Sequence, residues 1–133
     1  MSRCRCHSRK QEHRCCGPYH RGEAAPTPTH LMRSRYAAYA KGLSQYIIDT
    51  TDPEGPQWQS EHAVWKRDVA RFSESTRFAG LSILEEGAVV ADSATVTFTA
   101  SLYREGEEVG FTERSLFRRI DGRWVYVSAT PRS

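Results

Sequence analysis

The sequence has no apolar run approaching the ~18 residues that a membrane-spanning helix needs, so no membrane span is expected. Nor does a charged stub lead into an apolar stretch near its start, so no secretory leader is expected and the cytoplasm is the expected location. Net charge is scarce: 19 basic against 16 acidic side chains leave +3, a balance that selects no partner class. Large aliphatic side chains are almost missing from residues 1–22, where Met1 stands alone, so that segment has nothing to bury by itself. No internal repeat is found. At 133 residues the chain suits one domain with a small appendage, and it can bury a modest core.

What the head does hold is charge and sulfur. Residues 1–35 carry eight basic side chains against Glu12 and Glu23, a local +6, and the remaining 98 residues sum to −3. All four cysteines lie there, as Cys4, Cys6, Cys15 and Cys16. A disulfide framework wants an oxidising compartment, and pairing such close neighbours strains the bond geometry. A catalytic thiol gives no reason for two close pairs. A tetrahedral zinc site fits best, because two chelating pairs on a short loop can surround a closed-shell ion with four soft ligands. Four thiolates on Zn²⁺ leave −2, which Arg3, Arg5, Lys10 and Arg14 can offset. His7, His13 and His20 share the stretch, and any of them could replace one cysteine.

The run Cys4-x-Cys6-x-Ser8-x6-Cys15-Cys16-Gly17 resembles the SEC-C motif, the zinc knuckle at the C-terminus of the SecA translocation ATPase and in many bacterial proteins. It departs at His7-Ser8-Arg9, where the motif carries Gly-Ser-Gly, and at Glu12, where an aromatic is usual. Those glycines serve a tight turn, so a site of reduced affinity is expected.

Residues 23–28 read as a linker with two prolines. Thr27 as cap and Pro28 at the first position then start a helix bearing Met32, Tyr36, Tyr39 and Leu43, with Gly42 as its stop. A short helix is expected around Tyr46–Thr50. Trp58, His62, Trp65, Val69 and Phe72 predict a long amphipathic helix to about Ser75. From Phe78 the period becomes two, and Leu81–Leu84, Ala88–Ala91, Thr95–Tyr103, Val109–Arg119 and Arg123–Thr130 read as strands. Helices first and strands after them mean α+β.

Asp121-Gly122 is a two-residue hairpin signal. It pairs Phe117 with Tyr126 and Ser115 with Ser128. Glu113, Ser115, Phe117, Trp124 and Tyr126 then share one face, as expected of a curved sheet closing over helices. The Thr95, Thr97 and Thr99 row faces away, toward solvent or a dimer partner.

Two stretches are similar to bacterial YchJ-family proteins: Cys15 to Tyr39, above all Leu31-Met32-Arg33-Ser34-Arg35-Tyr36, and the ending Glu113-x-Ser115-x-Phe117-x3-Asp121-Gly122-x-Trp124-x-Tyr126. The resemblance implies a zinc knuckle at 1–22, a linker at 23–28, and a nuclear transport factor 2-like α+β domain at 29–133. In that fold, cone-shaped helices pack on a strongly curved antiparallel sheet. It implies no reaction.

Two functions follow as expectations. In the first, the chain is a binding or adaptor module whose knuckle docks a protein partner through Arg3, Arg5, Arg9, Lys10 and Arg14. Nucleic acid is the weaker partner class, because Tyr19 is the one aromatic nearby, and a homodimer is the third. In the second, the cone takes a small molecule as binder, isomerase, dehydratase or hydrolase. Its candidate pocket is Arg35, Tyr39, His62, Trp65, Glu113, Ser115, Trp124 and Tyr126. There Glu113 would be the base and Tyr126 the hydrogen-bond donor, while Arg35 anchors an anion or pairs with Glu113. No catalytic residue is assigned.

Overall fold

The computed structural model describes residues 2–131. A 3-10 turn (Glu12–Arg14) and helix α1 (Gly17–His20) form the head. Helices α2 (Pro28–Lys41), α3 (Ser44–Asp49) and α4 (His62–Ser75) precede five strands: β1 (Arg77–Glu86), β2 (Ser93–Arg104), β3 (Glu107–Glu108), β4 (Phe111–Ile120) and β5 (Arg123–Pro131). The sheet is antiparallel in the order β1-β2-β4-β5, with β3 beside β2. This is the expected α+β cone. No described helix is long and apolar enough to cross a membrane.

Helix α2 starts where its sequence says it should. The Thr27 hydroxyl accepts from the His30 backbone N–H at 3.1 Å, satisfying a donor the helix leaves open, and Gly42 ends it at φ +73°. Its apolar side meets the concave face of the sheet. Alternation along β2 turns Val96, Phe98, Ala100 and Leu102 inward, where they join Phe117, Trp124, Leu31, Met32 and Tyr36 in the main core. A second cluster of Ile47, Ile48, Trp65 and Val69 gathers around Ala38.

Register shifts between Phe78 and Gly80, Ile83 and Glu85, and Leu116 and Phe117 bend the strands. The exit of α3 is latched onto the sheet. Tyr126 N–H donates to Thr50 O and Asp52 N–H to Tyr126 O, each at 2.8 Å, bridging Thr51 to Tyr126. Asp52, 3% exposed, accepts two hydrogen bonds from Arg118, at 3.1 and 3.0 Å.

Those bonds hold the Asp52 carboxyl below its ordinary range, with burial working the other way. A depressed folded-state value makes its stabilisation complete above the unfolded-state value and progressively lost as pH falls through the folded one. Asp52→Asn is therefore expected to flatten the decline in thermal stability between about pH 5 and pH 2, read from melting curves across that range.

Several local expectations are corrected. Ala88–Ala91 is a turn with Ala91 and Asp92 at positive φ (+50° and +61°), and only Val90 bridges, to Ser93. Trp58 precedes α4, which begins at His62, although its ring still meets His62 and Trp65 edge-on at 5.0 and 5.4 Å. In the last hairpin Phe117 does face Tyr126, but the bulge beyond them puts Ser128 opposite Leu116 and Ala129 opposite Ser115. The Thr row is less open than expected: Thr97 is 4% exposed, between Glu85 of β1 and Arg114 of β4.

Candidate functional site

Helix α2 carries two stripes. Arg33, Ser34, Ala37, Ala40 and Lys41 receive the head, while Met32, Arg35, Tyr36 and Tyr39 face the cone interior. At 100° per residue the stripe centres lie roughly 150° apart, on nearly opposite sides.

On the first side the four cysteines converge. Their sulfurs lie within 4.8 Å of one another, with Cys6–Cys15 at 3.6 Å and Cys15–Cys16 at 3.9 Å. A tetrahedral ion at about 2.3 Å from four sulfurs would space them about 3.8 Å apart, so the residues present fit a metal. All four thiols are free; Cys4, Cys6 and Cys16 are buried, and the cluster rests on Ala37. Hydrogen bonds from the Cys16 and Cys4 thiols draw Cys6 far below the usual thiol range. Hydrogen bonds with Cys4 and Cys6, then burial, push Cys16 far above it. Four sulfurs at this spacing share protons and need a cation before all can ionise.

The histidines point elsewhere. His7 Nε2 lies 3.0 Å from Phe78 O, and His20 Nε2 lies 2.8 Å from Ser34 O with Nδ1 3.2 Å from Lys41 Nζ. His13 is exposed, and among the described residues the metal-competent group is the four cysteines.

The missing glycines leave a signature: His7 and Arg9 adopt φ +63° and +72°, so the glycine turn persists with side chains in it. Ser8 Oγ meets Cys15 Sγ at 3.1 Å and accepts from Lys10 N–H at 3.2 Å. A left-handed non-glycine costs about 1–2 kcal/mol. A glycine surrenders about 0.5–1 kcal/mol of extra freedom on ordering. Arg9→Gly is thus expected to tighten metal binding by about 1 kcal/mol, roughly fivefold, in competition with a chromophoric chelator.

The head is tied to α2 by more than sulfur. Arg33 donates to Cys6 O at 3.2 Å, Arg5 to Ala40 O at 3.2 Å, and Lys41 pairs with Glu12.

On the other side of α2 the cone is hollow. A cavity of about 370 Å³ brings together Arg35, Tyr39, Glu113, Ser115 and Tyr126, walled by Phe98, Phe117 and Tyr36 among others. Gln57 and Phe111, both exposed, stand at its mouth. Three candidates lie outside it. His62 is exposed on α4, Trp65 belongs to the second core cluster, and Trp124 lies under Arg119 at 5.0 Å in the main core.

Arg35 is 8% exposed, and its Nη1 donates to Ile47 O, Thr50 Oγ1 and Thr51 Oγ1 at 3.0, 2.8 and 3.2 Å. Its guanidinium lies 4.7 Å from the Tyr126 ring centre. The ion pair with Glu113 is not formed: the ion pairs among the described residues join Lys41, Arg118 and Arg119 to other carboxylates. Burial pushes the Glu113 carboxyl upward, and burial then the Glu113 charge push Tyr126 up to about 12. The aromatic wall was legible from the helical spacing of Tyr36 and Tyr39 and the two-residue alternation that brings Phe98, Phe117 and Tyr126 inward, whereas nothing in Thr50-Thr51 announces them as partners of Arg35.

Comparison with known proteins places this architecture. The family described as YchJ, middle NTF2-like domain, matches residues 27–129. A UPF0225 protein of Deinococcus radiodurans is 38% identical over 128 residues, 95% of this chain and 87% of that protein. The solution structure of RPA3114, a SEC-C motif containing protein from Rhodopseudomonas palustris, superposes with a TM-score of 0.82 at 35% identity, covering 99% of this chain and all of that one. A SEC-C motif containing protein from Psychrobacter arcticus shares the fold at TM-score 0.80 and 22% identity, covering 100% of this chain and 84% of that one.

Proposed function

This chain belongs to the UPF0225 family, built on the YchJ middle domain, and from that premise we propose that it is a zinc-braced small-molecule-binding protein. Cys4, Cys6, Cys15 and Cys16 hold zinc on one side of α2, and the cavity on the other side holds the ligand. Zinc suits the donor set because four thiolates at tetrahedral spacing favour a closed-shell ion with no geometric demand of its own. A reducing compartment such as the cytoplasm keeps those thiols available.

The cavity carries the functional reading. A concave, mostly aromatic space with a few convergent polar groups is the usual form of a ligand site, and about 370 Å³ lies within the usual range of ~300–1,000 Å³. Fragment titration of the zinc-loaded, isotope-labelled chain tests it. Saturable NMR shifts are expected at Tyr39, Phe98, Phe117 and Tyr126. Titrations that shift none of them with any fragment set the reading aside.

A second reading has its own support. Arg3, Arg5, Arg9, Lys10 and Arg14 are exposed on the head, whose acid Glu12 is already paired with Lys41. That surface suits an acidic protein partner better than nucleic acid, for want of stacking aromatics. Polyglutamate is expected to bind in low salt more tightly than a single-stranded oligonucleotide, and to lose affinity on Arg9→Glu/Lys10→Glu/Arg14→Glu. Indifference of polyglutamate binding to that triple change would remove the docking role.

A further inference from the structure

The cavity holds a cation with no counter-ion. Burying a guanidinium is costly unless hydrogen bonds and an opposite charge compensate it. Arg35 is 8% exposed, and the three hydrogen bonds it makes all leave from Nη1, to one carbonyl and two hydroxyls. No carboxylate among the described residues pairs with it, although Glu113 lines the same cavity.

The side chain is also held in place. Thr50 and Thr51 hydroxyls donate onward to Tyr46 O and Ile47 O at 2.7 Å each, so their lone pairs face the guanidinium. The Tyr126 ring covers one side of it, and the bridge from Thr51 to Tyr126 fixes the two walls together. Nη1 is thus occupied, the Tyr39 hydroxyl stands beside the guanidinium on the same cavity wall, and no backbone group or carboxylate among the described residues takes Nε or Nη2.

Resting on the cavity reading, we propose that the ligand is a small monocarboxylic acid with a flat apolar body, its carboxylate taken by Arg35 and its body by the aromatic wall. Guanidinium recognises a planar carboxylate through parallel N–H donors, which an amide of the same shape cannot match in charge. The space equals about a dozen waters at ~30 Å³ each, which admits one aromatic ring with a short acid arm. The rings of Phe98 and Phe111 meet edge-on at 6.1 Å near the mouth, and Phe117 meets Tyr126 at 5.9 Å deeper in, a lining suited to a ring. Glu113 sets the selectivity. With its carboxyl in the same apolar space, a second acidic group on the ligand has no cation left to meet.

The test compares 3-phenylpropionate with 3-phenylpropionamide on the zinc-loaded full chain, by calorimetry and by NMR. The acid is expected to bind about tenfold more tightly or better, the worth of one charge-assisted hydrogen bond. Binding should shift the Arg35 Nε–H signal together with Tyr126 and Phe117. Glu113→Gln should strengthen the acid several-fold at pH 8 and should not strengthen the amide. Equal affinity for acid and amide at cavity signals overturns the carboxylate class and leaves the cavity reading standing. An acid affinity untouched by Glu113→Gln overturns the placement beside Arg35. If neither compound shifts a cavity signal, the cavity reading fails, and this inference with it.

Discussion

Cys15→Ser/Cys16→Ser is expected to strip zinc from the head and release residues 2–22 from α2 while the sheet stays folded. The released segment brings almost no large aliphatic side chain, so in the proposed brace coordination would be what orders it. Structural zinc binds thiolate sets with an apparent ~10–16 kcal/mol near neutral pH, and that term vanishes with two ligands. What remains tying the head to the body is a few side-chain bonds, chiefly from Arg5, Arg33, Lys41, His7 and His20, each at least partly exposed and worth about 1 kcal/mol. They do not hold some twenty residues against an ordering cost of ~1–2 kcal/mol per residue. Elemental analysis should fall from one zinc per chain to none. Amide signals of Ala37, Ala40 and Lys41 should move, and those of Val96 to Leu102 should not. A double variant that keeps both zinc and the α2 signals contradicts the brace.

Phe117→Ala should have the largest effect on the body. Phe117 is 1% exposed in the middle of β4, pairs with Ala94 of β2 and faces Tyr126 of β5. Truncating a buried phenylalanine costs about 3–5 kcal/mol, since the surroundings close the hole only in part. For a chain of this size that means a melting-point fall of roughly 10–20 °C. Leu116→Ala, next door on the opposite face at 36% exposure, should stay within about 1 kcal/mol. Scanning calorimetry separates the two. Equal losses would mean that the sheet's inner face does not carry the core.

Much of this was written locally in the sequence. Thr27-Pro28 and Gly42 bound α2 because capping and left-handed backbone are decided by single residues. Asp121-Gly122 forms the expected turn, with φ +50° and +79°, and it set the register for the pairs nearest to it. Beyond Tyr126 that register slipped, because a bulge depends on how the whole sheet must curve, and no residue near Val127 signals one.

The metal-competent cluster was readable from cysteine spacing, but its bed on Ala37 was not, since a docking surface involves residues 20 and more positions away. The cavity was the hardest feature to foresee. Its lining residues look like core in any periodicity, and whether Phe98, Phe117 and Tyr39 fill a space or line one depends on the curvature of the whole sheet. Arg35 in turn is understood only through Thr50 and Thr51, which the latch onto Tyr126 places.

In the proposed brace, zinc bound on one side of α2 would steady the helix that lines the cavity on the other, through Arg35, Tyr36 and Tyr39. Titrating 3-phenylpropionate into zinc-loaded and chelator-stripped full-length chain tests it most directly. Saturable cavity binding is expected in the loaded protein, with at least about tenfold weaker binding once zinc is removed, as α2 loosens. Equal affinity in the two forms would contradict the brace.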